Sequence, residues 1–173
     1  NGEYSGFTEL STSNAGTAYV QGWEFIYQQQ FTFLPGLLKG LGASANYTLI
    51  STHGDFGGTV QRSTNEVAGF IPRTGNASLS WRYKKFSTRV LYNYTGNYIT
   101  SYTAGSVGRN LYRYSYKVIN LGASYQLRPW LQLTVDIANL GNEPQAFYRG
   151  IPDQMQSVII NGTTWTFGVN GRF

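Results

Sequence analysis

The sequence predicts an all-β fold, specifically an antiparallel transmembrane β-barrel, and three observations carry that expectation. Apolar and polar residues alternate with period two over most of the chain; the polar positions hold amides, hydroxyls and glycine rather than charges; and tight connections alternate with long ones. Composition agrees. Charged residues make up 12% and aromatic residues 16% of the 173 positions, where ordinary globular domains carry roughly 25% charge. The 14 Tyr and 21 Gly suit strands that leave the membrane at aromatic interfaces and pack against small residues.

The alternation is clearest toward the C-terminus. Ile119, Leu121, Ala123, Tyr125 and Leu127 alternate with Asn120, Gly122, Ser124 and Gln126. After Arg128-Pro129-Trp130, the series Leu131, Leu133, Val135 and Ile137 alternates with Gln132, Thr134 and Asp136. The last run sets Trp165, Phe167, Val169 and Phe173 against Thr164, Thr166, Asn170 and Arg172. Period two over such lengths is strand, not helix. The same pattern recurs at Leu41–Leu49, Ala77–Tyr83, Phe86–Tyr94 and Trp23–Tyr27, with Ile26 and Leu91 as exceptions.

The polar face decides what surrounds these strands. The outer side of a half-buried soluble sheet is rich in Lys and Glu, whereas here it is Asn, Ser, Gln, Thr and Gly. That face suits a wet lumen, and the uniformly apolar face suits lipid. Hydrocarbon offers backbone groups no partners, so strands cross it only as a closed barrel. Seven strands are expected, near 17–34, 40–53, 73–84, 86–100, 112–127, 131–149 and 163–173. About 9–11 tilted residues span the hydrocarbon, so several should project beyond it.

The connections Leu34-Pro35-Gly36 through Gly40, Lys84-Lys85 and Arg128-Pro129-Trp130 read as tight, while 54–72, 101–111 and 150–162 are long and rich in Gly, Ser, Thr and Asn. If the last strand descends, every tight turn is periplasmic and every long loop exterior. Phe31, Phe33, Phe86 and Trp130 then mark one interface, and Tyr92, Tyr94, Tyr98 and Tyr102 the other. An odd set of seven with two free edges implies a larger barrel that this segment completes at its C-terminal end. Residues 1–14 are expected to end an extracellular loop or preceding strand, and 15–173 to form barrel. The start at Asn1-Gly2-Glu3, without Met, reads as an internal cut.

Other function classes find little support. The net charge of +5 comes without any basic block beyond Lys84-Lys85, so no nucleic-acid surface is expected. Cys is absent and His53 is the single His, which leaves no thiolate site and no metal cluster. Ser51, His53 and Asp55 could be read as nucleophile, base and acid, but triads are defined by geometry rather than by closeness in sequence. Neither catalysis nor a cofactor is expected.

One resemblance then stands out. Gly22-Trp23-Glu24-Phe25, Tyr27-Gln28-Gln29, Leu34-Pro35-Gly36, Gly42 and Ala45-Asn46-Tyr47-Thr48 resemble the late barrel strands of TonB-dependent receptors. Asn139-Leu140-Gly141-Asn142-Glu143 resembles a stretch common in that family, with Gly141 where Thr is more usual. The resemblance implies an outer-membrane protein of Gram-negative bacteria whose whole barrel has about 22 strands and holds a plug domain. It implies active uptake of a scarce ligand (an iron chelate, cobalamin or an oligosaccharide) driven through the TonB complex by a missing N-terminal part. Lipid and lipopolysaccharide would surround it. The terminal Trp165, Phe167, Val169 and Phe173 resemble the signal read by the outer-membrane assembly machinery. Loops on rigid scaffolds carry specificity, which makes Arg62, Tyr102, Arg109 and Tyr112 candidate ligand contacts. A passive porin or autotransporter barrel, a membrane-embedded hydrolase and a soluble carbohydrate-binding β-domain are the competing readings.

Overall fold

A computed structural model describes residues 16–55, 64–103 and 105–172 of the chain. Residues 1–14, Arg62 and Phe173 lie outside the described residues. The strands are β1 (Thr17–Gln30), β2 (Leu41–Asp55), β3 (Arg73–Tyr83), β4 (Phe86–Thr95), β5 (Tyr98–Ser101), β6 (Leu111–Arg113), β7 (Tyr116–Arg128), β8 (Leu131–Ala138), β9 (Gln145–Arg149), β10 (Met155–Ile159) and β11 (Thr164–Gly171). Every pairing is antiparallel.

Seven strands form one sheet in the order β1-β2-β3-β4-β7-β8-β11, and the other four form a second sheet in the order β10-β9-β6-β5. The second order repeats the first: β5 follows β4, β6 leads into β7, β9 follows β8, and β10 leads into β11. The small sheet is therefore the continuation of four wall strands past a level at which each is interrupted. β3 and β4, with 11 and 10 residues, are long enough to cross hydrocarbon, so the small sheet stands beyond it. We call it the upper sheet.

Register separates the two faces of the wall. Tyr27, Ala45, Ala77, Tyr92 and Ile119 stand opposite one another across five strands, and the adjacent row is Gln28, Ser44, Ser78, Leu91 and Asn120. Leu91 and Ile26, the exceptions to the alternation, thus lie on the polar face. There Ser44 Oγ and Ser78 Oγ are 2.7 Å apart, and Asn76 Nδ2 donates to Asn46 Oδ1 at 2.9 Å. The apolar face has no cover: Phe167 is 75% and Trp23 73% exposed. In water each such side chain would forfeit about 1.5–3 kcal/mol of burial energy. Among the described residues the buried apolar side chains are Ile99, Ile137 and Tyr148, far too few for a soluble core. This excludes the soluble-domain reading on physical grounds.

The sheet does not close among the described residues; β1 and β11 each keep one unpaired edge.

The structure corrects several expected boundaries. The runs 86–100, 112–127 and 131–149 are each two strands, broken at Gly96-Asn97, at Tyr114-Ser115 and over 139–144. The first strand ends at Gln30 rather than 34. β10 lies inside the stretch 150–162, where the sequence predicts a loop. The connection between β1 and β2 is not tight but ten residues long, with a 3-10 turn at Gly36–Gly40. Gly36 takes a φ of 56° there, and a Cβ on Gly40 would lie 1.7 Å from the Arg82 carbonyl oxygen. The turn lies flat on β3, with Trp81 Nε1 donating to the Leu37 carbonyl at 2.8 Å.

Candidate functional site: the upper sheet and its loops

Ile99, Tyr112 and Tyr148 stand in one register row of the upper sheet. The Tyr112 and Tyr148 rings stack at 5.0 Å with 8° between planes, and Tyr114 joins them at 4.5 Å. Asn97 hydrogen-bonds the Tyr148 side chain. Burial pushes the Tyr148 hydroxyl above the usual tyrosine value; Tyr112, Tyr114 and Glu66 add to the rise, while the Asn97 bond works against it. The opposite face carries Tyr98, Arg113 and Phe147 in one row. Arg113 lays its guanidinium 4.3 Å from the Tyr116 ring centroid and 5.8 Å from that of Phe147. Its Nε is buried without a hydrogen-bond partner, and the aromatic faces supply the compensating cation–π attraction.

Two connections are fastened to this sheet. In the first, Tyr102 donates from its hydroxyl to the carbonyls of Thr64 at 3.0 Å and Glu66 at 2.7 Å. Gly69 N–H donates to the Ile99 carbonyl, Gly54 N–H to that of Asn65, and Val67 N–H to Thr52 Oγ1. Residues 64–72 thereby bridge β2 and the free edge of β5, protecting an edge that would otherwise offer itself for pairing. In the second, Asn110 is fully buried, and its Oδ1 accepts from Thr103 N–H at 2.8 Å. Arg149 Nη1 and Thr103 Oγ1 both donate to the Arg109 carbonyl. Tyr114 donates to the carbonyl of Pro152.

The sequence-derived candidates divide accordingly. Arg109 is exposed on the 3-10 turn Val107–Arg109. Tyr102 and Tyr112 stand near it, engaged in the loop bonds and ring stack just described. Ser51, His53 and Asp55 follow one another on one side of β2, opposite Gln21, Tyr19 and Thr17. Sequence reasoning missed Asn110, Tyr148 and Arg113, since their roles arise from contacts between distant segments. The break in β8–β9 was visible only as a resemblance. There Asn139 takes a φ of 53°, and its Oδ1 accepts from Glu143 N–H at 2.8 Å. Its Nδ2 donates to the Glu143 and Gly162 carbonyls.

Comparison with known families settles the setting of this wall. The family described as TonB dependent receptor-like, beta-barrel matches residues 1–140. The chain belongs to that family. No curated protein and no solved structure matches it. TonB-dependent receptor barrels are outer-membrane transport receptors, which accounts for the apolar outer face, the polar inner face and the strand-built crossing. The residues beyond the match share the same wall, because β9 pairs with β6 and β11 pairs with β8. No helix among the described residues is long and apolar enough to cross a membrane, a finding that leaves strand crossing untouched.

Proposed function

We propose that the chain forms wall, lumen lining and outer loops of an active transporter that takes up a scarce ligand with energy relayed by TonB. The family match carries this reading, and the fastened upper sheet supports it by offering a rigid platform for the loops. The ligand class is an iron chelate, cobalamin or an oligosaccharide. The same reading puts lipopolysaccharide against the upper end, and the assembly machinery against the row Trp165, Phe167, Val169 and Phe173.

Within this reading Arg62, Tyr102, Arg109 and Tyr112 contact the ligand, with Tyr102 and Tyr112 offering ring faces and Arg62 and Arg109 the charge. A guanidinium bond to an anionic chelate is worth about 1.5–3 kcal/mol. The joint variant R62A/R109A should then weaken binding by roughly tenfold or more, without loss of folded protein.

The transport reading is tested in cells carrying the full-length protein, with radio-iron chelates, labelled cyanocobalamin and labelled maltooligosaccharides as probes. Uptake of one probe that stops on deletion of TonB or on addition of a protonophore is the expected result. Uptake that persists unchanged under both treatments overturns active transport in favour of a passive pore.

A further inference from the structure

The end of the wall that carries the β1–β2, β3–β4 and β7–β8 connections bears charge of one sign. Lys39, Lys84 and Lys85 sit in turns, and Arg82, Arg128 and Arg172 lie at the adjoining strand ends; all six are exposed. Acidic residues among the described ones lie within strands, at Glu24 and Asp136, or toward the opposite end, at Asp55, Glu66, Glu143 and Asp153. That opposite end mixes both signs, with Arg73, Arg109, Lys117 and Arg149 among the acids.

The cations form a connected rim. Gln126 N–H donates to the Lys85 carbonyl at 2.8 Å, and Arg172 N–H to the Trp130 carbonyl at 2.9 Å. The 3-10 turn bearing Lys39 is held to β3 through Trp81. Apolar side chains are interleaved with these charges. Phe33, Leu37, Leu38 and Trp130 are exposed there, Trp81 stacks on Tyr83, and Lys84 Nζ lies 5.3 Å from the Tyr83 ring centroid. Aromatic and leucine side chains at the hydrocarbon boundary with ammonium groups just beyond are the signature of a headgroup contact.

We propose that this rim docks on anionic glycerophospholipid headgroups. Lys39, Lys84 and Lys85 make the contact, and the three arginines, which continue the polar face of their strands, strengthen the positive field. The β3–β4 turn is only Lys84-Lys85 and the longer β1–β2 connection is held against β3 through Trp81, so the ammonium groups stay close to the wall, at the depth of a small headgroup. The thick saccharide of lipopolysaccharide would meet the opposite end, where the upper sheet projects. An acidic protein would leave Phe33, Leu37 and Leu38 without a purpose. The proposal rests on the membrane reading of the wall.

The test uses the full-length protein in nanodiscs of phosphatidylcholine with increasing phosphatidylglycerol, or with lipid A, and reads the lipid retained by native mass spectrometry. A basic residue near an anionic surface contributes about fivefold in preference at moderate ionic strength. The variant K39Q/K84Q/K85Q should lower phosphatidylglycerol retention by roughly tenfold or more, as should about 1 M salt, where the screening length falls to about 3 Å. R73Q/K117Q, at the other end, should leave retention unchanged. Equal losses in the two variants overturn the proposal, and so does equal or stronger retention of lipid A. Absence of any lipid preference together with charge-dependent capture of an acidic protein also overturns it. A parent protein that fails to enter the discs overturns the membrane reading as well, whereas entry without preference overturns the docking alone.

Discussion

Asn139 shows how much of this architecture rests on single side chains. It occupies a left-handed backbone position, accepts from Glu143, donates across to Gly162, and receives Thr163 Oγ1 at its carbonyl. It also takes Asn120 Oδ1 on its own N–H at 2.9 Å. Asn is the side chain that tolerates this conformation while bonding locally. Asn139→Ala should cost about 2–4 kcal/mol, combining the left-handed strain with part-buried groups left unpaired. The temperature at which the full-length protein loses its folded mobility on a detergent gel should fall accordingly. An unchanged temperature would show that the knot is dispensable. Sequence marked this position through the Asn139–Glu143 resemblance, but could not give its reason. Asn110, fully buried where Asn139 is half-buried, carried no mark at all, because one Asn in a Gly- and Ser-containing stretch looks like any other until Thr103 and Gly150 are folded onto it.

At the scale of elements, alternation read the seven-stranded sheet correctly because each wall strand meets lipid on one side and water on the other. It failed where both surroundings end. Gly96-Asn97 and Tyr114-Ser115 preserve period two, so the step from wall to upper sheet is silent in the pattern. β10 is silent for another reason: Met155–Ile159 is exposed throughout and becomes a strand by pairing with β9. The upper sheet should open in alkali before the wall does. Its Tyr148 hydroxyl, raised above 10.0 by burial, keeps its proton to higher pH when folded than when unfolded. The stability this provides is whole below pH 10, falls as pH rises through 10, and is lost once the folded hydroxyl ionises. Protection of the backbone amides across β6 and β9, corrected for the intrinsic rise of exchange with pH, should therefore fall above about pH 10 in the parent, and much less in Tyr148→Phe. Identical pH profiles for the two proteins would assign the opening to another group.

For the whole molecule the governing fact is that, among the described residues, β1 and β11 each leave a row of backbone groups unpaired. No such edge survives in hydrocarbon, where an unsatisfied peptide group costs several kcal/mol, so both must meet further strands before the wall is stable. One of these edges belongs to β11, whose outward side chains Trp165, Phe167 and Val169 are all strongly exposed. If this row and Phe173 are read by the assembly machinery, amount and stability should separate. Deleting Phe173 should lower the quantity of inserted protein several-fold while leaving the melting temperature of the inserted fraction nearly unchanged, because Thr164–Gly171 keep their pairing with β8. Phe167→Ser should lower both, since it also removes about 2–3 kcal/mol of apolar contact with lipid. Quantitative blots of outer-membrane fractions, paired with gel melting of the same samples, distinguish the two effects. Normal insertion without Phe173 would leave the row a lipid contact and nothing more.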